Sequence, residues 1–140
     1  MNERTENSHE PATSLLTHRN CRLAAFTFFA AMILIGAIPG KADALSAVIW
    51  DKLLHFAAYS FLSALIYGAL QGGPALRALL TVIIVALLGA GDEFLQAFLS
   101  YRNANLVDWQ MDMLAACVTV TLLWSVQAAR IAYGIRQGTR

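Results

Sequence analysis

The chain has 140 residues, of which 58% are hydrophobic and only 14% charged, with a formal net charge of +1. Soluble domains carry roughly 25% charged residues, so too few charges are present to cover a small soluble domain, and the composition points to an integral membrane protein. The balanced charge, with no basic stripe and no helix-turn-helix pattern, gives no footing for nucleic acid as a partner. Cys21 and Cys117 are far apart and neither has a CxxC or metal-type neighbour, so each reads as an apolar side chain.

Residues 1–20 contain Glu3, Arg4, Glu6, His9, Glu10, His18 and Arg19 and read as a short disordered tail. From Leu23 to Ile38 the chain is almost wholly apolar and stops at Pro39-Gly40, close to the roughly 20 residues that span a bilayer. A secretory signal cleaved near Ala42-Asp43-Ala44 is the alternative reading of this segment, and the long tail and long apolar run favour an anchor over it. A second span runs from Leu53 to Leu70, entered through Asp51-Lys52 and closed by the turn Gln71-Gly72-Gly73-Pro74. A third runs from Leu76 to Leu99, and a fourth from Trp109 to Gln127, extending toward Tyr133. Trp50, Tyr101, Trp109, Trp124 and Tyr133 lie near the span ends, where interfacial aromatics concentrate. The expected fold is therefore all-α, a polytopic bundle of four transmembrane helices over 21–133, with a second tail at 134–140.

Lys and Arg set the orientation. Arg4, Arg19, Arg22, Arg77, Arg130, Arg136 and Arg140 fall on one side, and Lys41, Lys52 and Arg102 on the other. The positive-inside rule then predicts both termini in the cytoplasm of an inner (plasma) membrane, with the 39–50 and 100–107 loops outward.

That topology gathers the polar residues. His55 lies one turn below Asp51, about 6 Å deep; Glu93 lies roughly 9 Å below Leu99; Asp112 lies about 6 Å below Asp108. Three helices thus bring His55, Glu93 and Asp112 to one depth, with Asp51, Lys52, Arg102 and Asp108 as a rim and nothing comparable at the cytoplasmic end. Asp51, His55 and Tyr59 share a face at i, i+4, as do Asp108 and Asp112, and Glu93 with Gln96 at i, i+3. Asp92 is about 100° round the helix from Glu93, so Glu93 is expected inward with Gln96, and Asp92 toward a neighbouring helix or the rim. Gly89 and Gly91 read as close-packing positions, and Tyr67 and the Phe26-Phe28-Phe29 group as packing and lipid contact.

The order Asp51-Lys52-x-x-His55, then Glu93-x-x-Gln96, then Arg102, then Asp108 with a polar residue four later, resembles the VanZ-like family. Pro39-Gly40 after the first span is similar too, and the resemblance covers residues 23–127. Two positions depart from it: Asp112 stands where the family usually has Asn, and Ala115 and Ala116 where glycine-type residues follow. The resemblance implies a four-helix cell-envelope membrane protein, in a family whose best-known member raises resistance to teicoplanin.

Two classes of function fit these residues. In the first, the chain acts at the outer leaflet on a lipid-linked or amphiphilic substrate. His55, with an unperturbed pKa of about 6.5, serves as general acid or base, Glu93 or Asp108 orients it or shares the proton, and Lys52 or Arg102 holds a phosphate or carboxylate. Asp51, Tyr59, Gln96 and Asp112 complete the binding set. In the second, the same residues bind ions, relay protons or capture a ligand without chemistry, and a conduit would require a homo-oligomer. The third reading is a purely structural network that fixes helix register. Ser60 and Ser63 do not stack with His55, no cofactor or zinc motif occurs, and no metal is expected. Membrane lipids are the expected surroundings.

Overall fold

The computed structural model describes residues 10–40, 50–101 and 105–138. These residues are all-helical, with four helices: α1 (Glu10–Gly36), α2 (Asp51–Ala69), α3 (Pro74–Gln96) and α4 (Leu106–Gly138). Local chemistry sets their ends. Pro39-Gly40 closes α1, with Gly40 at φ +76°, a backbone state that glycine adopts without strain. The turn between α2 and α3 uses Gly72 at φ +113°, and Pro74 opens α3 at its first turn, where a missing N–H costs nothing. Asn105 caps α4: its Oδ1 accepts the Val107 N–H at 3.0 Å, satisfying one of the orphan donors of the first turn.

Two boundaries differ from expectation. Residues 10–20 are helical rather than a disordered tail, and His18 Nδ1 lies 2.7 Å from the Gly68 carbonyl oxygen at the end of α2. The last helix continues through Gly138, past the tail expected from residue 134. At 1.5 Å per residue its 33 residues reach about 50 Å. The alternative cleavage site at residues 42–44, Lys41 and Arg102 lie outside the described residues.

Contacts between named pairs give the direction of each helix. Phe28 meets Phe61 edge-to-face at 4.9 Å while His18 reaches Gly68, so α1 and α2 are antiparallel. Tyr59 pairs with Asp92 and Tyr67 with Arg77, so α2 and α3 are antiparallel. Lys52 pairs with Asp108 and His55 with Asp112, so α2 and α4 run parallel. The result is an up-down-up-down order in which α2 packs on all three of the others.

Burial follows helical periodicity. On α2 the buried positions are His55, Tyr59, Leu62, Ser63, Ile66 and Tyr67, the i, i+4, i+7 stripe of a helix with one enclosed face. The core they form with Ala25, Val85, Ala115 and Ala116 is small, and its polar members include fully buried Asp112, Ser63 and Thr81. The outside is the reverse: Phe26 is 75% exposed, Phe98 72% and Leu87 69%. Ser63, Thr81, Thr121 and Ser125 each donate to the carbonyl four residues back, at 2.6–2.8 Å, which satisfies hydroxyls without water. Thr17–Gly36, Pro74–Gln96 and Leu106–Arg130 are long and apolar enough to cross a membrane. α2, with Asp51, Lys52 and His55 in its first turns, is the exception among the four.

The aromatic residues divide. Trp50, Trp124 and Tyr133 are exposed, as interfacial positions would be. Trp109 instead turns inward and donates its indole N–H to the Ala86 carbonyl at 3.0 Å, and Tyr101 ties the α3–α4 loop to the Ala37 carbonyl at the end of α1.

Candidate functional site

Parallel packing of α2 on α4 brings their first two turns into register. Lys52 Nζ donates to Asp108 Oδ1 and reaches Asp51 Oδ2 at 3.5 Å. One turn deeper, His55 Nδ1 lies 3.0 Å from Asp112 Oδ1. One turn deeper again, the Tyr59 hydroxyl donates to Asp92 Oδ2 of α3 at 3.4 Å, and the Tyr59 ring stacks parallel to the His55 ring. Asp51, Lys52, His55, Tyr59, Asp108 and Asp112 therefore converge, as their spacing predicts. Of the expected site residues, only Arg102 falls outside the description.

Gly89 makes the α3–α4 approach possible. A methyl group added there would sit 2.9 Å from Asp112 Oδ2 and 3.2 Å from Trp109 Cδ1, so a hydrogen is all the interface admits. Gly91 has open space around it and packs against nothing.

Of the α3 carboxylates, Asp92 turns to a neighbouring helix as expected, whereas Glu93 does not share a cavity with Gln96. Asp92 points to α2 and, with Gln96 one turn on, lines a cavity beside it. Glu93 turns to the loop before α4, where its Oε2 accepts the Asn105 backbone N–H at 2.6 Å. The cause is Asn105, which presents a free N–H to α3 while its side chain caps α4. Sequence reasoning did not single out Asn105, although an Asn directly before an apolar run is an N-cap signal.

Among the described residues, two carboxylate oxygens are buried without a hydrogen-bond partner, Glu93 Oε1 and Asp112 Oδ2. Lys52 is engaged by two carboxylates, which removes it as a ready holder of phosphate or carboxylate. Asp51, His55 and Asp108 place ligand atoms within 4.8 Å of one another, a set that could take a divalent cation, and the Lys52 ammonium already bonds both of its carboxylates. Ser63 Oγ donates to the Tyr59 carbonyl rather than to His55.

A cavity of about 480 Å³ lies between the end of α1, the start of α2 and the end of α3. Its walls are mostly apolar, with Phe28, Met32, Leu54 and Leu95 among them, and its polar lining consists of Asp51, His55, Asp92 and Gln96. The size falls within the ~300–1,000 Å³ range of ligand pockets.

The opposite end of the helices holds a polar group that the sequence reading did not anticipate. Arg77 lies 4.1 Å over the Tyr67 ring and donates through Nε and Nη2 to the Tyr67 carbonyl, at 3.0 and 2.6 Å. The Tyr67 hydroxyl donates to Gln127 Oε1 at 2.9 Å. This group contains no carboxylate and ties α2, α3 and α4 together.

No protein-family model and no solved structure matches the chain. It is similar to an uncharacterised protein of Schizosaccharomyces pombe, 29% identical over 106 residues, which is 75% of this chain. The matched stretch spans 65% of the yeast protein's length.

Proposed function

We propose that the chain is a four-span membrane protein of the VanZ-like kind, with both termini cytoplasmic, whose outward-end cluster engages a lipid-linked or amphiphilic ligand of the cell envelope. The observation that carries this reading is the cavity joining apolar walls to Asp51, His55, Asp92 and Gln96. A tail and a headgroup require that pairing, and a purely structural ion network does not. The inverted distribution of residues supports the membrane setting: large apolar side chains cover the outside, and the polar groups lie where the helices meet. The motif order Asp51-Lys52-x-x-His55, Glu93-x-x-Gln96 and Asp108 supports the family.

The test is to incubate purified protein in lipid nanodiscs with an envelope lipid extract and identify bound species by native mass spectrometry. One-to-one retention of a discrete amphiphile, lost when Ala58→Phe fills the cavity, is the expected result. Equal retention by wild type and the filled variant refutes the reading.

The His55–Asp112 pair favours a second reading, in which the bound ligand is also transformed. A carboxylate on Nδ1 fixes the ring and its tautomer and leaves Nε2 as a proton acceptor. New product masses accumulating in the same incubation, and absent with His55→Gln, would establish turnover.

A further inference from the structure

The cavity's polar lining has a sign. Asp51 and Asp92 are carboxylates, His55 an imidazole and Gln96 an amide, and no lysine or arginine is among the described lining residues. Around it, five carboxyl groups (Asp51, Asp92, Glu93, Asp108 and Asp112) stand against one ammonium among the described residues, and that ammonium, Lys52, is bonded to Asp108 and Asp51. An anionic headgroup placed here would meet like charge in a setting of low dielectric, where repulsion is strong.

Each lining group can accept a hydrogen bond. His55 holds Asp112 through Nδ1, so with the proton on that atom its Nε2 is an acceptor. Gln96 is only 5% exposed, lines the cavity, and its side-chain amide takes no hydrogen bond among the described residues. Its Oε1 offers a further acceptor beside the two carboxylates. A primary ammonium brings three donors and one positive charge, which complements this set.

Building on the amphiphile reading above, we propose that the cavity takes a long-chain amine or amine-headed lipid, its ammonium seated among Asp51, Asp92, Gln96 and His55 and its tail against Phe28, Met32 and Leu95. The carboxylates disfavour phosphate there. Asp92, which also accepts from Tyr59, is held in place by that hydroxyl.

The test uses three probes with one tail: hexadecylamine, hexadecyl phosphate and hexadecanol. Each is titrated into the full chain in phosphatidylcholine nanodiscs and read by native mass spectrometry. Hexadecylamine should bind at least tenfold tighter than the other two. Asp92→Asn, which keeps an acceptor for Tyr59, should remove most of that preference, and Ala58→Phe should weaken all saturable binding. Gln96→Leu is the second variant should Asp92→Asn fail to fold, and it too should lower amine affinity severalfold. Equal or tighter binding of the phosphate probe overturns the cationic assignment while leaving an amphiphile site standing. Saturable binding of none of the three overturns both readings. Amine binding unchanged by Asp92→Asn, Gln96→Leu and Ala58→Phe means adsorption to an acidic surface and overturns the proposal.

Discussion

Replacing Gly89 by alanine should destabilise the protein, although alanine is the better helix former. The added methyl carbon would stand 2.9 Å from Asp112 Oδ2 and 3.2 Å from Trp109 Cδ1. Neither neighbour can yield freely: Asp112 is fully buried and holds His55 at 3.0 Å, and the Trp109 indole is tied to the Ala86 carbonyl. Overpacking of this kind costs about 1–3 kcal/mol, against a gain of roughly 0.5–1 kcal/mol from exchanging glycine for alanine in a helix. Gly91→Ala is the internal control, since nothing lies within 4 Å of its added carbon, and it should be stabilising by that roughly 0.5–1 kcal/mol. The two substitutions lie two residues apart on one helix and are predicted to differ in sign. Unfolding by SDS in mixed micelles, followed by tryptophan fluorescence, measures both. Combining Gly89→Ala with Asp112→Ala should recover part of the loss, because the closest obstructing atom is then gone. Equal midpoints for Gly89→Ala and Gly91→Ala, or no coupling to Asp112, would refute the close-approach argument.

Four further outcomes follow from other contacts. Lys52→Met strands Asp108, only 4% exposed, and removing one partner of a buried pair costs up to about 3–5 kcal/mol. Asp51→Asn should cost less than about 1 kcal/mol, since that side chain is 38% exposed and its contact with Lys52 is 3.5 Å; the same SDS titration compares them. Asn105→Ala should cost about 0.5–2 kcal/mol through the lost cap, with Asn105→Asp close to wild type, checked by helix content and melting temperature. Tyr67→Phe removes the bond to Gln127 for about 0.5–1.5 kcal/mol while leaving the Arg77 stack, and the same melts would read it. For orientation, a single cysteine at position 103 in a Cys21→Ala, Cys117→Ala background should react with an impermeant maleimide in intact cells, and labelling only after permeabilisation would reverse the topology.

The four helices and their alternating directions were readable from apolar runs, the Pro39-Gly40 stop and the Gln71-Gly72-Gly73-Pro74 turn, because these are local signals. The start of α1 was not, because residues 10–20 are polar and their helix continues the apolar run into contact with Gly68. In the site, i, i+4 spacing correctly grouped Asp51 with His55 and Asp108 with Asp112. Spacing alone could not choose between adjacent Asp92 and Glu93. That choice belongs to partners on other helices, the Tyr59 hydroxyl for one and the Asn105 N–H for the other. Lys52 shows the same limit: its charge was visible in sequence, but its engagement by Asp108 depends on α2 and α4 running in parallel register.

The position of the cavity follows from how α2 is covered. α2 carries Asp51, Lys52 and His55 in its first two turns, yet it is the one that packs on all the others. α1, α3 and α4 shield its polar face. α4 does so with Asp108 and Asp112, which pair with Lys52 and His55, and with Ala115 and Ala116, whose small side chains permit close approach. α1 and α3 both pack on α2 but share no substantial contact with each other, and the cavity occupies the gap between them. The opening sets His55, Asp51 and Asp92 beside apolar walls, where the amphiphile proposed above would complete the cover that the helices leave unfinished.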